Sequence, residues 1–132
     1  MEFRIHHIAI SVKHLQETLD FYKDIFWFSE YCKSQDNNME IWLLELQDIK
    51  LEIFYFKDFQ KLPDYRKNNS TDLPTLWVKH FALEVRNIEK TLLYLQEKWV
   101  EIITEIKTGR NPVKYFFFKD PNGILVEIIQ DI

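Results

Sequence analysis

A single cysteine, Cys32, is all the thiol the chain has, so neither an intrachain disulfide nor a Cys-rich zinc cluster can be built. Nothing here points to an oxidising compartment. Long apolar runs are missing as well: no stretch of about eighteen apolar residues occurs, and Met1-Glu2-Phe3-Arg4-Ile5-His6-His7 has no apolar segment behind a basic one. Neither a membrane span nor a standard secretory signal is expected. An excess of positive charge is also absent, since 17 Lys and Arg are interspersed among 21 Asp and Glu for a formal charge of -4. Nucleic-acid binding, which needs clustered basic residues to displace counterions, is therefore set aside. The expected partner is a small molecule and the expected compartment the cytoplasm.

What the chain has in quantity is aromatic surface, with 11 Phe, 6 Tyr and 4 Trp in 132 residues. Large side chains bury much area each, and a chain of this length can bury enough to fold as one domain, residues 1–132, without staples.

Two stretches nearly repeat. His7-Ile8-Ala9-Ile10-Ser11-Val12 before Lys13 to Leu19 recurs as His80-Phe81-Ala82-Leu83-Glu84-Val85 before Arg86 to Leu92. Later, Lys50-Leu51-Glu52-Ile53 recurs as Leu125-Val126-Glu127-Ile128. Strand-like Ile5 to Val12 leads into a helical period at Leu15, Leu19, Tyr22 and Phe26, and Val78 to Val85 leads into Ile88, Leu92, Leu95 and Trp99. Three strand-like segments follow each helix: Phe28 to Lys33, Glu40 to Leu46 and Ile49 to Phe56, then Val100 to Ile106, Val113 to Lys119 and Gly123 to Gln130. The class predicted is α+β, two tandem βαβββ modules whose curved mixed sheet surrounds a metal-binding cleft. Module 1 spans about 4–56 and module 2 about 77–131, joined by a polar, aperiodic linker over about 57–76.

Alternation fixes the direction of the repeated polar residues. His7 shares a strand face with Ile5, Ala9 and Ser11, opposite the face of Ile8, Ile10 and Val12 that must pack on the helix. His80 behaves likewise, and Glu52 and Glu127 oppose Leu51 and Ile53, and Val126 and Ile128. Two imidazoles and two carboxylates suit one divalent transition ion such as Zn, Ni, Co, Mn or Fe. Such an ion polarises a carbonyl and stabilises an enediolate when a neighbouring base removes a proton, and a ligand carboxylate that loosens can be that base. A lone His or Glu on a strand is ordinarily solvated; their duplication at matching places is what singles these four out. His6, His14 and Cys32 lack such counterparts and read as structural or solvated.

The series His7-Ile8-Ala9-Ile10, Phe21-Tyr22, Leu51-Glu52-Ile53, Lys79-His80-Phe81-Ala82, Asp120-Pro121-Asn122-Gly123 and Val126-Glu127-Ile128 resembles the vicinal oxygen chelate superfamily over essentially the whole chain. Glyoxalase I, methylmalonyl-CoA epimerase, extradiol dioxygenases, fosfomycin-resistance transferases and metal-free bleomycin-binding proteins belong there. Within it, the order His7, Glu52, His80, Glu127 is similar to the ligand set of glyoxalase I. Dioxygenases and fosfomycin enzymes resemble each other in using two His and one Glu, and the epimerase is similar to glyoxalase I but commonly has Gln where Glu52 stands. The resemblance implies a metal-dependent lyase or isomerase of the glyoxalase I type, with Glu127, and secondarily Glu52, moving the proton, and a homodimer.

Ser11 stands where bacterial glyoxalase I typically carries an Arg that contacts glutathione, which leaves the thiol cofactor open. Trp27 and Trp99 stand near where relatives often have a helix-closing Gly, so these helix ends are expected to close differently. Candidate pocket residues are Phe54 and Phe56, on the Glu52 face, then Trp42, Tyr115 and Phe117, with Arg110 for an anionic group. Competing readings are an iron-dependent extradiol-type dioxygenase and a metal-free binding module of the bleomycin-resistance kind.

Overall fold

The computed structural model describes residues 1–132, which divide into two compact units, Met1–Lys61 and Leu62–Ile132. The first holds β1 (His7–Val12), α1 (Leu15–Asp20) continued by a π turn (Phe21–Ile25), β2 (Ser29–Gln35), β3 (Met39–Leu46) and β4 (Ile49–Phe56). Its sheet runs β1-β4-β3-β2, with β1 parallel to β4 and the other pairs antiparallel. A parallel β1–β4 pair is possible because the helix and two strands of chain lie between them. One face of this sheet supplies buried Ile10, Val12, Leu44, Leu51 and Ile53, and the helical segment supplies Leu19, Tyr22 and Phe26. Tyr22 has no exposed surface and meets Phe28 edge-on, with ring centroids 5.2 Å from Phe21 and 5.7 Å from Phe28. Withdrawing side chains of this size contributes roughly 1.5–3 kcal/mol each.

The second unit has a short 3-10 turn (Asp64–Arg66), α2 (Asn69–Asp72), β5 (Phe81–Glu84), α3 (Ile88–Glu97), β6 (Glu101–Ile102), β7 (Lys107–Thr108), β8 (Val113–Lys119) and β9 (Leu125–Asp131). Its order, β5-β9-β8-β6 with β7 also on β8, repeats that of the first sheet, and β5 is parallel to β9. The predicted α+β class, with the βαβββ sequence in duplicate, is borne out. Asn87 caps α3 by accepting from the Lys90 N–H at 2.9 Å, and the Gln130 side chain on β9 accepts from the Ile88 N–H at 2.7 Å. Two donors otherwise orphaned at the helix start are thereby satisfied. Ile88, Leu95, Phe116, Phe118, Val126 and Ile128 form the buried set of this unit.

Three departures from the sequence expectation have physical causes. The strand expected from Val78 is paired only from Phe81, and Leu76, Trp77 and Val78 are exposed, so their apolar run is not a buried strand. The strand expected over Val100 to Ile106 is two short pieces. Between them the Thr104 hydroxyl, in place of a backbone carbonyl, accepts from the Phe117 N–H at 3.0 Å and interrupts the ladder. Trp27 and Trp99 close their helices in the left-handed region that glycine usually fills, both at φ 60. The polar linker also contains more structure than its composition suggests, namely the 3-10 turn and α2.

Candidate functional site

Each unit pairs one of the repeated histidines with its glutamate. In the first, Ala9 lies opposite Glu52 and His7 opposite Lys50 in the β1–β4 register, so His7 and Glu52 are diagonal neighbours on one face. His7 Nε2 is 3.8 Å from Glu52 Oε1. The other ring nitrogen, Nδ1, is 2.9 Å from His6 Nδ1, with the two rings edge to face. His6, read above as structural or solvated, is thus the second partner of the His7 ring. If His7 donates from Nδ1, its Nε2 lone pair is left facing the carboxylate, which is the tautomer a metal ligand requires.

The second unit repeats the arrangement more tightly. Ala82 and Phe117 flank Glu127 in the ladder, and His80 Nε2 lies 3.1 Å from Glu127 Oε2. Phe117, almost wholly buried, stands edge-on to the His80 imidazole at 5.0 Å, and Tyr115 lies edge-on to Phe117 at 5.8 Å. His80 Nδ1 is buried without a hydrogen-bond partner. His80 precedes β5 rather than sitting in it. Its neighbour Lys79 is tethered instead, donating to the Asp72 carbonyl at 2.8 Å and lying 3.4 Å from the Asp72 carboxylate, which also accepts from Arg66 at 3.0 Å.

The donor chemistry fits a divalent transition ion. Cis ligands with bonds of about 2.1 Å stand about 3 Å apart in an octahedron and about 3.4 Å apart in a tetrahedron. The 3.1 Å separation in the second unit falls in that range, and the 3.8 Å separation in the first is slightly wider. No group of three or more His, Cys, Asp or Glu side chains placed to hold a metal is present; each histidine has one glutamate beside it.

Among the candidate pocket residues, Phe54 shares the Glu52 face and lies opposite Ser11 and Ile41, while Phe56 ends the strand opposite Met39, more exposed. Tyr115 and Phe117 border the His80–Glu127 pair. Trp42 is on the other face: it lies opposite buried Ile53 and opposite Lys33, whose ammonium sits 4.7 Å from its ring. Arg110 is exposed in the loop after Gly109. Lys50, not singled out by its pattern, stands beside His7 with its side chain only 12% exposed. The Arg66–Asp72–Lys79 cluster had no signal in the sequence, because a buried aspartate in a polar stretch looks like any solvated one.

Comparison with known proteins locates this arrangement. The family model described as the glyoxalase/bleomycin resistance protein/dioxygenase superfamily matches residues 62–128. Mitochondrial methylmalonyl-CoA epimerase of Dictyostelium discoideum is 29% identical over 131 residues, covering 95% of this chain and 76% of the relative. The corresponding enzyme of Homo sapiens is 28% identical over 134 residues, covering 96% of this chain and 73% of its own length. A solved glyoxalase family protein from Enterococcus faecalis superposes with a TM-score of 0.81 at 28% identity, covering 96% of each chain. No helix is long and apolar enough to cross a membrane.

Proposed function

Since the chain belongs to the glyoxalase/bleomycin resistance protein/dioxygenase superfamily, we propose that it is a metal-dependent isomerase that removes and returns a proton on the carbon next to a thioester carbonyl, as methylmalonyl-CoA epimerase does. The observation that carries this is the duplicated His–Glu contact, His7 with Glu52 and His80 with Glu127. The epimerase relatives, similar over nearly the whole chain, supply the substrate class. We assign His7, Glu52, His80 and Glu127 as ligands of one divalent transition ion.

When bound, that ion polarises the substrate carbonyl and offsets the charge of the enolate. The protein's own groups do the rest. Glu127 is the carboxylate that takes the proton from carbon and returns it after the planar enolate has turned its other face, since return to the same face would regenerate the starting isomer, and Glu52 is its counterpart in the other repeat. Phe117 and Tyr115 wall the Glu127 side chain on one flank, limiting water where the proton is held. His6 orients the His7 ring. A second reading, the glyoxalase I-type conversion of a hemithioacetal, is favoured by the carboxylate of Glu52, since the same proton chemistry serves both substrates.

Metal content per chain, by mass spectrometry on untagged protein purified without chelator, is the first test, with Glu52→Ala and Glu127→Ala beside the wild type. About one transition ion per chain, lost in both variants, is expected. Deuterium uptake at carbon 2 of methylmalonyl-CoA, set against turnover of a glutathione hemithioacetal, then separates the two substrates. No ion after reconstitution with nickel, zinc, cobalt or manganese would leave only the binding-module reading.

A further inference from the structure

We propose that Lys50 recognises a carboxylate on the substrate and is the residue that selects a 2-carboxyacyl thioester over an uncharged acyl thioester, an inference that rests on the isomerase reading above. The repeat itself points there. His7 and Glu52 are duplicated as His80 and Glu127, so the duplicated groups do not distinguish one end of a substrate from the other. Positions at which the halves differ must do so. In the repeated tetrapeptide, Lys50-Leu51-Glu52-Ile53 against Leu125-Val126-Glu127-Ile128, the residue two before the glutamate is a cation in one half and a leucine in the other.

Placement supports the role. Lys50 lies opposite His7 on one side and opposite Glu45 on the other, which puts its side chain on the face that carries His7 and Glu52. Lys33, also on this sheet, lies opposite Trp42 on the reverse face. Although lysines are ordinarily solvated, the Lys50 side chain is only 12% exposed. Its ammonium has three donors to satisfy. It faces the Tyr31 ring at 4.6 Å, and Glu45 Oε1 lies 3.6 Å away, beyond a good charge-assisted hydrogen bond. His80 Nδ1 is the buried side-chain nitrogen or oxygen without a partner, so the Lys50 ammonium keeps water contacts that an arriving anion replaces with charge-assisted hydrogen bonds. The same face carries Glu45 and Glu52 beside His7, so Lys50 is the lysine on this face placed to offset those carboxylates for an anionic substrate. Tyr31 is presented to the lysine by the register shift between Glu30 and Cys32, where the β2 ladder bulges.

The test compares wild type with Lys50→Met, Lys50→Gln and Lys50→Arg, and with Lys33→Met as a cation removed from the other face. Two constants are read: KM and kcat for methylmalonyl-CoA from deuterium uptake, and Ki for propionyl-CoA, which lacks the carboxylate, as competitor. Loss of one charge-assisted contact predicts that Lys50→Met and Lys50→Gln raise KM by about 10- to 100-fold, with kcat within about threefold and propionyl-CoA Ki within about twofold. Lys50→Arg recovers KM to within about fivefold of wild type, and Lys33→Met leaves it unchanged. Equal weakening for both thioesters, or no change in KM, overturns the proposal. If the wild type neither exchanges the carbon-2 proton nor inverts that carbon, the isomerase reading fails, and calorimetric binding of free methylmalonate still decides the role of Lys50. Binding about tenfold weaker or more in Lys50→Met and Lys50→Gln than in wild type supports it, and equal affinity overturns it.

Discussion

The Lys79 ammonium donates to the Asp72 backbone carbonyl at 2.8 Å while the Asp72 carboxylate accepts from Arg66 at 3.0 Å, so one aspartate ties the inter-repeat segment to the residue beside His80. No ladder pairing is present before Phe81, so this tether takes the place that β1 pairing has for His7. Burial pushes the Asp72 carboxyl up, but hydrogen bonds from Arg66 and Lys79 and their two positive charges outweigh it and hold it below the usual carboxylate range. A carboxyl lowered on folding contributes stability that is fully present above its unfolded value, about 3.9, and is lost as pH falls through the folded one. Asp72→Asn is therefore expected to be less stable than wild type at pH 7, with the gap closing below about pH 4. Urea unfolding of both proteins across that range is the check; a gap independent of pH would show that the charge is not responsible.

Trp99 holds φ 60 at the end of α3 with 94% of its surface exposed, so it bears left-handed strain without packing in return. Replacing it by glycine removes the Cβ clash while loosening the unfolded chain, for a net gain of about 0.5–1 kcal/mol. Thermal unfolding of Trp99→Gly should show a higher midpoint. A lower one would mean the indole makes a contact worth more than the strain.

The loop at Asp120 makes the opposite prediction. Asp120 is buried, and its Oδ1 accepts from the Asn122 N–H at 2.8 Å and the Ile124 N–H at 2.9 Å, while Gly123 adopts φ 81. Removing the acceptor leaves two backbone donors unmatched, so Asp120→Ala should lose about 1–3 kcal/mol. Gly123→Ala meets no steric obstacle and should lose only the backbone preference, about 1 kcal/mol. Equal losses would show that the turn geometry, not the carboxylate, carries the loop.

Legibility in the sequence followed the strength of local alternation. The bounds Ile49–Phe56 and Val113–Lys119 coincide with the elements β4 and β8, since each is a run rich in apolar and aromatic residues bounded by clear turn signals. The faces of His7, Glu52 and Glu127 were legible from parity along their strands, whereas His80 lies before β5, outside the ladder that parity describes. Val78 was not, since an exposed apolar residue and a buried one look alike without tertiary context. Nor was the break at Thr104, where a hydroxyl outcompetes a backbone carbonyl for the Phe117 N–H. Trp42 obeys the parity of its own strand, but the pairing of that strand with Ile53 of β4, a non-local fact, decides which face it joins. His6, Lys50 and the Arg66–Asp72–Lys79 cluster depend on contacts between segments, which a pattern read along one strand does not contain.

Glu127 and Glu52 occupy equivalent places but not equivalent surroundings, and their amide variants should separate. Glu127 is 3.1 Å from His80, its side chain 15% exposed, with buried Phe117 opposite it in the ladder. Glu52 is 3.8 Å from His7, beyond hydrogen-bond reach, and 22% exposed. The more enclosed carboxylate is the better placed to hold a proton away from water, whereas an amide oxygen at the Glu52 position can still ligate an ion. Glu52→Gln is therefore expected to keep its metal and remain within about tenfold of wild-type kcat, while Glu127→Gln falls by about 10²- to 10⁴-fold as a proton carrier is lost. Metal content by mass spectrometry and deuterium uptake at carbon 2, measured on the same preparations, distinguish loss of the ion from loss of the base. Equal losses in both variants would make the two carboxylates partners in one proton relay, with no division between ligand and base.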